Sequence, residues 1–150
     1  MGHLSGLRVC LVSSPKDKKD AIDFRQKHFF DPKGFDDPYR ENLDKKDHLH
    51  WLLYDGDELI GYAHAENWSN HRAALRIIVI ESQVRRRGMG KYLMDWCERK
   101  LKEQGVKLLQ TEAHPDAYLF YKRLGYVEMS FNSPDGEPTH PNDRAMGKYL

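Results

Sequence analysis

The chain has 150 residues and a formal net charge of +1, with 39% hydrophobic and 31% charged residues. These values predict one globular domain over residues 1–150 and exclude a disordered or low-complexity chain. A net charge so near zero gives no reason to expect a nucleic-acid or membrane partner, so any anion site must come from local clustering of basic residues.

Cysteine content and hydropathy indicate the compartment. Cys10 and Cys97 lie far apart and outside any Cys-x-x-Cys motif, which argues against a disulfide framework and favours a reducing environment. We see no apolar stretch of membrane-spanning length and no signal-peptide pattern at the start of the sequence. A cytoplasmic protein is therefore expected.

The predicted elements begin with a strand at 7–12, an apolar run. Ser14 and Pro15 then predict a helix start, with Ser14 as the N-terminal cap. The polar segment 31–47 is broken by prolines and a glycine, which predicts a loop or short helices. Its acidic residues could attract a cationic amine; they are Asp36, Asp37, Asp44 and Asp47.

The middle of the chain has the pattern of three strands, at 50–54, 58–65 and 74–80. Asp55-Gly56-Asp57 predicts a hairpin turn between the first two, and β-branched residues mark the third as a central strand. The remaining predicted elements are a helix between Gly88 and Gly105, a strand at 106–111, a helix at 115–124, and strands at 126–131 and 145–150. This order predicts a mixed α/β fold with a largely antiparallel front half.

The segment 78–91, IVIESQVRRRGMGK, runs from the central strand through a glycine-containing turn into a helix. Backbone N–H groups converge on one point at such a turn, and the helix dipole and basic side chains add positive potential. It is not a P-loop, because Tyr92 follows Lys91 where Ser or Thr would bind magnesium, and it lacks the third glycine of a dinucleotide fingerprint. Coenzyme A satisfies these conditions; a solvated basic turn is the alternative.

The second informative segment is 114–126, HPDAYLFYKRLGY. By itself it predicts an amphipathic helix whose aromatic residues belong to the core, and for Phe120 and Leu124 that interpretation suffices. Tyr121 gains a functional interpretation only in combination with the first segment.

Together, these segments resemble the GNAT superfamily of N-acetyltransferases. The family's pyrophosphate-binding pattern Arg/Gln-x-x-Gly-x-Gly/Ala matches Arg85, Gly88 and Gly90. The later pattern Ala-x-x-Phe-Tyr-x-x-x-Gly-Phe/Tyr matches Ala117, Phe120, Tyr121, Gly125 and Tyr126. Residues 145–150 are similar to the family's last strand, and the resemblance covers residues 50–150 well.

The resemblance implies a GNAT-like, largely antiparallel central sheet with flanking helices and a splayed strand pair at the acetyl-CoA site. It also implies direct acetyl transfer from acetyl-CoA, the co-substrate, to a primary amine of a small molecule, peptide or protein, with Tyr121 as the general acid. Free backbone groups at Val79 and Ile80 are expected to pair with the pantetheine arm. The implied coenzyme contacts are Ile78, Val79, Ile80, Arg85, Arg86, Arg87, Gly88, Met89, Gly90, Lys91, His114, Ala117 and Tyr121. Many members carry Asn at the position of His114. A homodimer is compatible with this assignment.

The general base is the open question, because several family members carry a carboxylate early in the central strand and residues 72–76 contain none. The candidates flank the preceding turn or lie at the ends of the splaying strands; they are His64, Glu66, His71, Glu81 and Glu112. Each is more often a surface or hydrogen-bonded residue. His48, His50 and His64 form too weak a pattern to predict a metal site. A GNAT-fold sensor or interaction module that has lost catalysis stays open as an alternative function.

Overall fold

A computed structural model describes residues 6–85 and 87–150. Its seven strands form one sheet in the order β1-β2-β3-β4-β5-β7-β6. They are β1 (Leu7–Leu11), β2 (His48–Asp55), β3 (Glu58–Asn67), β4 (Arg72–Ile80), β5 (Leu108–Ala113), β6 (Val127–Glu128) and β7 (Arg144–Tyr149). Neighbouring strands are antiparallel except β4 and β5, which are parallel. This architecture confirms the mixed, largely antiparallel α/β fold.

Among the described residues, three α-helices flank the sheet: α1 (Pro15–Arg25), α2 (Met89–Glu103) and α3 (Tyr118–Arg123). The start of α1 is as predicted, because the Asp17 N–H donates to Ser14 Oγ over 3.0 Å and the Asp17 carboxylate accepts from the Ser14 N–H. Such a capping box satisfies two backbone donors that a helix start otherwise leaves unpaired. A π-helical turn and two short 3-10 turns follow, at Gln26–Phe30, Asp31–Lys33 and Arg40–Asp44.

β5 starts at Leu108, two residues later than predicted. The Val106 N–H donates to the Leu101 carbonyl, so Val106 closes the end of α2. The Lys107 N–H donates to the His71 carbonyl, just before β4, and the Lys107 carbonyl accepts from Leu150, just after β7. The predicted helix 115–124 likewise divides into a 3-10 turn, Pro115–Ala117, and α3.

β6 has two residues, where a strand over 126–131 was predicted. The Ser130 carbonyl accepts from Gln110 Nε2 over 2.8 Å, and the Asn132 carbonyl accepts from Arg72 Nη1 over 2.7 Å. Side chains of β4 and β5 therefore bind this backbone, and the strand ends early.

The two faces of the sheet carry separate apolar clusters. The face covered by α2, here the α2 face, buries Leu93, Met94, Cys97 and Leu101 of that helix against β2 to β5. The opposite face, the α1 face, buries Ala21 and Phe24 of α1 and Phe30 against Leu52, Tyr62, Ile77 and Val79. Alternation along each strand assigns successive side chains to opposite faces.

Among the helices of the described residues, none has the length and apolar character needed to cross a bilayer.

Candidate functional site

The site begins where β4 leaves β5. These strands pair from Arg72 with Leu108 to Leu75 with Thr111, and β4 continues to Ile80 without a β5 partner in the described register. At the last residue pair of these two strands, the Thr111 hydroxyl donates to the Leu75 carbonyl over 3.1 Å. Beside this point β4 contains a bulge with Arg76 as the extra residue, because His64 and Ala65 of β3 pair with Ile77 and Leu75. The gap confirms the predicted splayed strand pair.

The ladder between β3 and β4 determines which backbone groups face the gap. The Glu81 N–H donates to the Ile60 carbonyl over 2.8 Å. Hydrogen-bonded and non-bonded pairs alternate in an antiparallel ladder, so the Val79 backbone bonds to Tyr62 of β3. Ile78 and Ile80 turn their backbone groups toward the gap. The expectation of free groups at Val79 and Ile80 is therefore corrected to Ile78 and Ile80.

The loop after β4 is tied back to that strand. Residues Ser82–Val84 form a 3-10 turn, and Arg85 Nε donates to the Ile80 carbonyl over 2.8 Å. This bond takes up the Ile80 carbonyl and leaves its N–H for the gap. Gly88 precedes α2 with φ +82°, a left-handed conformation that favours glycine, and the space beside it is open. Arg86 lies outside the described residues.

Gly90 is required for a different reason than Gly88. A Cβ atom at Gly90 would lie 3.1 Å from a ring carbon of Phe120, so the absence of a side chain there lets α3 pack against the first turn of α2. Met89 is buried, Arg87 is exposed and Lys91 forms an ion pair of 2.6 Å with Asp95 on the helix surface. The N-terminus of α2 thus stands beside the gap with its first N–H groups unpaired within the helix.

Tyr121 lies on the α2 face where the gap opens. Its phenol is a neighbour of the side chain of Thr111, the last paired residue of β5. Burial raises the pKa of Tyr121 to about 12, although the neighbouring Thr111 side chain opposes that shift. The ring makes edge contacts with Phe120 and Tyr126. At neutral pH the phenol keeps its proton, as a general acid must.

Comparison with known proteins decides the family. The sequence model described as acetyltransferase (GNAT) domain matches residues 17–137. This chain belongs to the GNAT acetyltransferase family. A Bacillus subtilis (strain 168) protein named as an acetyltransferase is 30% identical over 125 residues, which cover 80% of this chain and 83% of that protein.

Solved structures show the same GNAT fold. A Lactobacillus plantarum protein named as an N-acetyltransferase superposes with a TM-score of 0.80 at 19% identity, over 97% of this chain and 99% of that one. The PaiA N-acetyltransferase of Thermoplasma acidophilum, crystallised with coenzyme A, gives 0.74 at 16% identity, over 96% and 99% of the two chains.

Two of the implied coenzyme contacts in this GNAT chain lie between β5 and α3. His114 is exposed and its Nδ1 accepts from the Asp116 N–H over 3.2 Å, so this nitrogen caps the 3-10 turn before α3. Ala117 is half-buried against the core cluster of the α2 face. The structure therefore places Ala117 beside the packing around Tyr121 and His114 toward solvent.

The base candidates have different surroundings, and His71 Nδ1 lies 3.1 Å from the Gly105 carbonyl at the end of α2. Glu66 accepts from Arg76 Nε and Nη2 over 3.0 and 2.8 Å, so its negative charge is already paired with that guanidinium group. Glu81 ends β4, and Glu112 follows the last paired residue of β5, where alternation directs it to the α1 face. His64 is buried on the α1 face, 2% exposed, and pairs with Ile77 beside the bulge.

A buried polar network on the α1 face was not predicted. Arg25, which has no exposed surface, donates to Asp37 over 2.5 Å and to Asn42 and the Tyr62 hydroxyl over 3.0 Å. Asp37, predicted to attract an amine, is thus paired within the fold. The one sequence signal was helical spacing, since Arg25 is four residues after the buried Ala21.

Within residues 6–85 and 87–150, we find no group of three or more His, Cys, Asp or Glu residues arranged to hold a metal ion.

Proposed function

We propose that this GNAT protein transfers the acetyl group of acetyl-CoA directly to a primary amine of a small molecule, peptide or protein. The observation that carries the proposal is the position of a protonated, buried phenol, Tyr121, at the point where β4 and β5 separate. The glycine-containing loop and the start of α2 lie at the other end of the same gap.

The chain supplies three groups that suit this chemistry. The N–H groups of Ile78 and Ile80 face the gap and can pair with the thioester arm, where one of them polarises the carbonyl oxygen. Acetyl-CoA supplies the activated acetyl group. As the amine nitrogen bonds to the carbonyl carbon and the C–S bond breaks, Tyr121 donates its proton to the leaving sulfur.

The amine must also lose a proton, because an alkylammonium ion has a pKa of about 10.4. The two carboxylates at the gap, Glu81 and Glu112, are candidate acceptors of that proton. Glu66 is disfavoured in this role by its two hydrogen bonds from Arg76.

The direct test has two stages. Acetyl-CoA is first titrated calorimetrically and in thermal melts, where a ligand that binds the native state raises the melting temperature. Thiol release is then followed over a panel of polyamines, aminoglycosides, amino acids and peptide N-termini. Binding followed by amine-dependent thiol release supports the proposal. Absence of any binding signal at millimolar acetyl-CoA contradicts it.

The second candidate function is a coenzyme A-binding sensor or interaction module without catalysis. Two observations favour it: residues 72–76 at the start of β4 contain no carboxylate, and Glu66 is ion-paired with Arg76. Tight acetyl-CoA binding without thiol release to any amine of the panel would select this function.

A further inference from the structure

Three histidines stack on the α1 face, His48 and His50 on β2 and His64 on β3. The ring centroids of His48 and His64 are 5.0 Å apart and those of His50 and His64 are 4.3 Å apart. Both ring nitrogens of His50 have partners, the Tyr62 hydroxyl at 2.6 Å and the Asn42 carbonyl at 3.1 Å. His64 differs, because its Nδ1 is a buried polar atom without a hydrogen-bond partner among the described residues.

The surroundings of His48 fix the protons on both rings. His48 Nε2 faces the Glu66 carboxylate at 3.8 Å, within ion-pair distance and beyond the length of a direct hydrogen bond. A carboxylate favours the N–H form of the nitrogen it faces, so neutral His48 carries its proton on Nε2 and its Nδ1 is an acceptor. That Nδ1 lies 2.8 Å from His64 Nε2, which is therefore the donor. Neutral His64 is left with an unpaired lone pair on Nδ1.

His64 lies on β3, one strand away from the gap, and on the face of the sheet opposite Tyr121. His64 pairs with Ile77, the first residue after the bulge, and neighbouring strands are about 4.8 Å apart. Tyr121 occupies the α2 face of the same opening, whereas His64 occupies the α1 face. Ile77 of β4 separates His64 from the gap on the α1 face, so water must carry the proton of an amine at the thioester to His64 Nδ1.

We infer that His64 and His48 form a proton relay that removes the proton of the attacking amine, a role that rests on the proposed acetyl transfer. The amine proton passes through a water to His64 Nδ1. At the same time the His64 Nε2 proton moves to His48 Nδ1, and the His48 Nε2 proton leaves toward Glu66 and solvent. One proton enters and one leaves; proton exchange with solvent restores the rings after product release.

The charges around the rings explain why a relay suits this place. Burial, together with His50, His48, Arg25 and Arg76, lowers the pKa of His64 well below its usual range. The pKa of His48 is lowered overall, chiefly by burial and also by Lys45 and Arg76. Glu66 and Asp47 oppose this shift. A stable imidazolium at His64 is therefore unfavourable. A relay avoids it, because His64 loses one proton as it gains another.

The proton positions are tested without any acceptor. Long-range ¹H–¹⁵N correlation spectra of the ¹⁵N-histidine-labelled protein at pH 7.5 are expected to show neutral His64 and His48, each protonated on Nε2. Assignment uses His64→Gln and His48→Gln. A His64 ring protonated on Nδ1, or charged, overturns the relay whatever the enzyme acetylates.

The kinetic test uses the best amine from the thiol-release panel. His64→Gln and His48→Gln are each expected to lower kcat about a hundredfold, with the Kd of acetyl-CoA unchanged. Their kcat should also rise more steeply with pH than that of the wild type, since hydroxide replaces the lost acceptor. His50→Gln is the matched control, since His50 lies in the same stack but both its nitrogens are occupied.

The outcomes separate the two proposals. If the kcat of His64→Gln is within threefold of the wild-type kcat, the relay is overturned and the acetyltransferase proposal stays intact. An equal loss in His50→Gln with an unchanged pH slope also overturns the relay, since it indicates a packing effect. If His64→Gln melts too low to assay, His48→Gln decides, because His48 is only partly buried. A wild-type protein that acetylates no amine overturns both.

Discussion

At the residue scale, Tyr121 combines a structural position with a chemical one. It packs against Phe120 and Tyr126, yet its hydroxyl is at the mouth of the gap and keeps its proton, because burial raises its pKa to about 12. Tyr121→Phe removes only that hydroxyl. We expect kcat to fall about a hundredfold to ten-thousandfold with acetyl-CoA affinity nearly unchanged, since the loss is confined to the transition state.

If Tyr121 has only a structural role, the same variant should lose stability and keep its turnover. Loss of one buried hydrogen bond would cost about 0.5–1.5 kcal/mol of unfolding free energy and leave turnover as it was. Urea denaturation and steady-state kinetics on Tyr121→Phe measure both quantities. Full activity would remove Tyr121 from the mechanism and make Tyr118 or a water the next candidate acid.

The sequence predicted some site residues and missed others for a physical reason. Arg85, Gly88, Gly90 and Tyr121 belong to short local motifs, so their spacing along the chain is sufficient to select them. The partner of Arg25 is twelve residues away across an irregular loop, and the contact of His64 with His48 depends on how two strands pair. Such contacts exist only once the register of the sheet is known.

At the element scale, β4 is a strand whose successive residues have different partners. The ladder with β3 occupies the Val79 backbone and directs the N–H groups of Ile78 and Ile80 into the gap. In amide hydrogen exchange we expect Val79 to be the most protected of the three in the free protein. Acetyl-CoA should slow exchange at Ile78 and Ile80 at least tenfold and change Val79 little. Equal exchange of all three in the free protein would refute this register.

The junction of α2 and α3 gives a second prediction at this scale. Gly90→Val should destabilise the protein by about 1–3 kcal/mol, since its side chain meets the Phe120 ring at 3.1 Å. Phe120→Leu should recover a large part of that loss. A double-mutant cycle by urea denaturation is expected to give a coupling of at least about 0.5 kcal/mol.

Gly88→Ala is the matched control for that cycle. Its cost of roughly 1–2 kcal/mol comes from the φ of +82° and not from a contact, so Phe120→Leu should not relieve it. Coupling of Phe120→Leu with Gly88→Ala but not with Gly90→Val would contradict the assigned roles of the two glycines.

Element boundaries followed the sequence where local signals were strong. The Ser14 cap, the turn at Gly56 and the end of α2 near Gly105 lie where turn and cap residues predicted them. The predicted strand 126–131 was too long, because Gln110 donates to the Ser130 carbonyl within it and Arg72 donates to the Asn132 carbonyl just after it. Those donors come from β4 and β5, and no pattern within 126–131 reveals them.

At the scale of the whole molecule, two strand groups are joined through one short parallel pairing. β1 to β4 form one group and β5, β7 and β6 the other, with four residue pairs between β4 and β5. β7 lies between β5 and β6 although it is last in sequence. This order was not predicted, because strand periodicity identifies the faces of a strand but not its neighbours.

The buried histidines of the α1 face make the stability of the whole fold depend on pH. Burial lowers the pKa of His50 from 6.5 to about 4, and that of His64 further in the same direction. Between pH 4 and pH 6.5, His50 binds a proton in the unfolded chain but not in the native state. The free energy of unfolding therefore falls as pH drops below 6.5. His50 alone should cost the native state about 2 kcal/mol between pH 7 and pH 5.

Urea unfolding of the wild type, His50→Gln and His140→Gln at these two pH values measures that dependence. The loss between pH 7 and pH 5 should be about 2 kcal/mol smaller in His50→Gln than in the wild type, because glutamine does not titrate. His140 is exposed in the loop before β7, so His140→Gln should follow the wild type. If His50→Gln and the wild type lose the same free energy, His50 is not held neutral by the fold. The histidine stack would then lack the low-polarity setting that the relay from His64 to His48 requires.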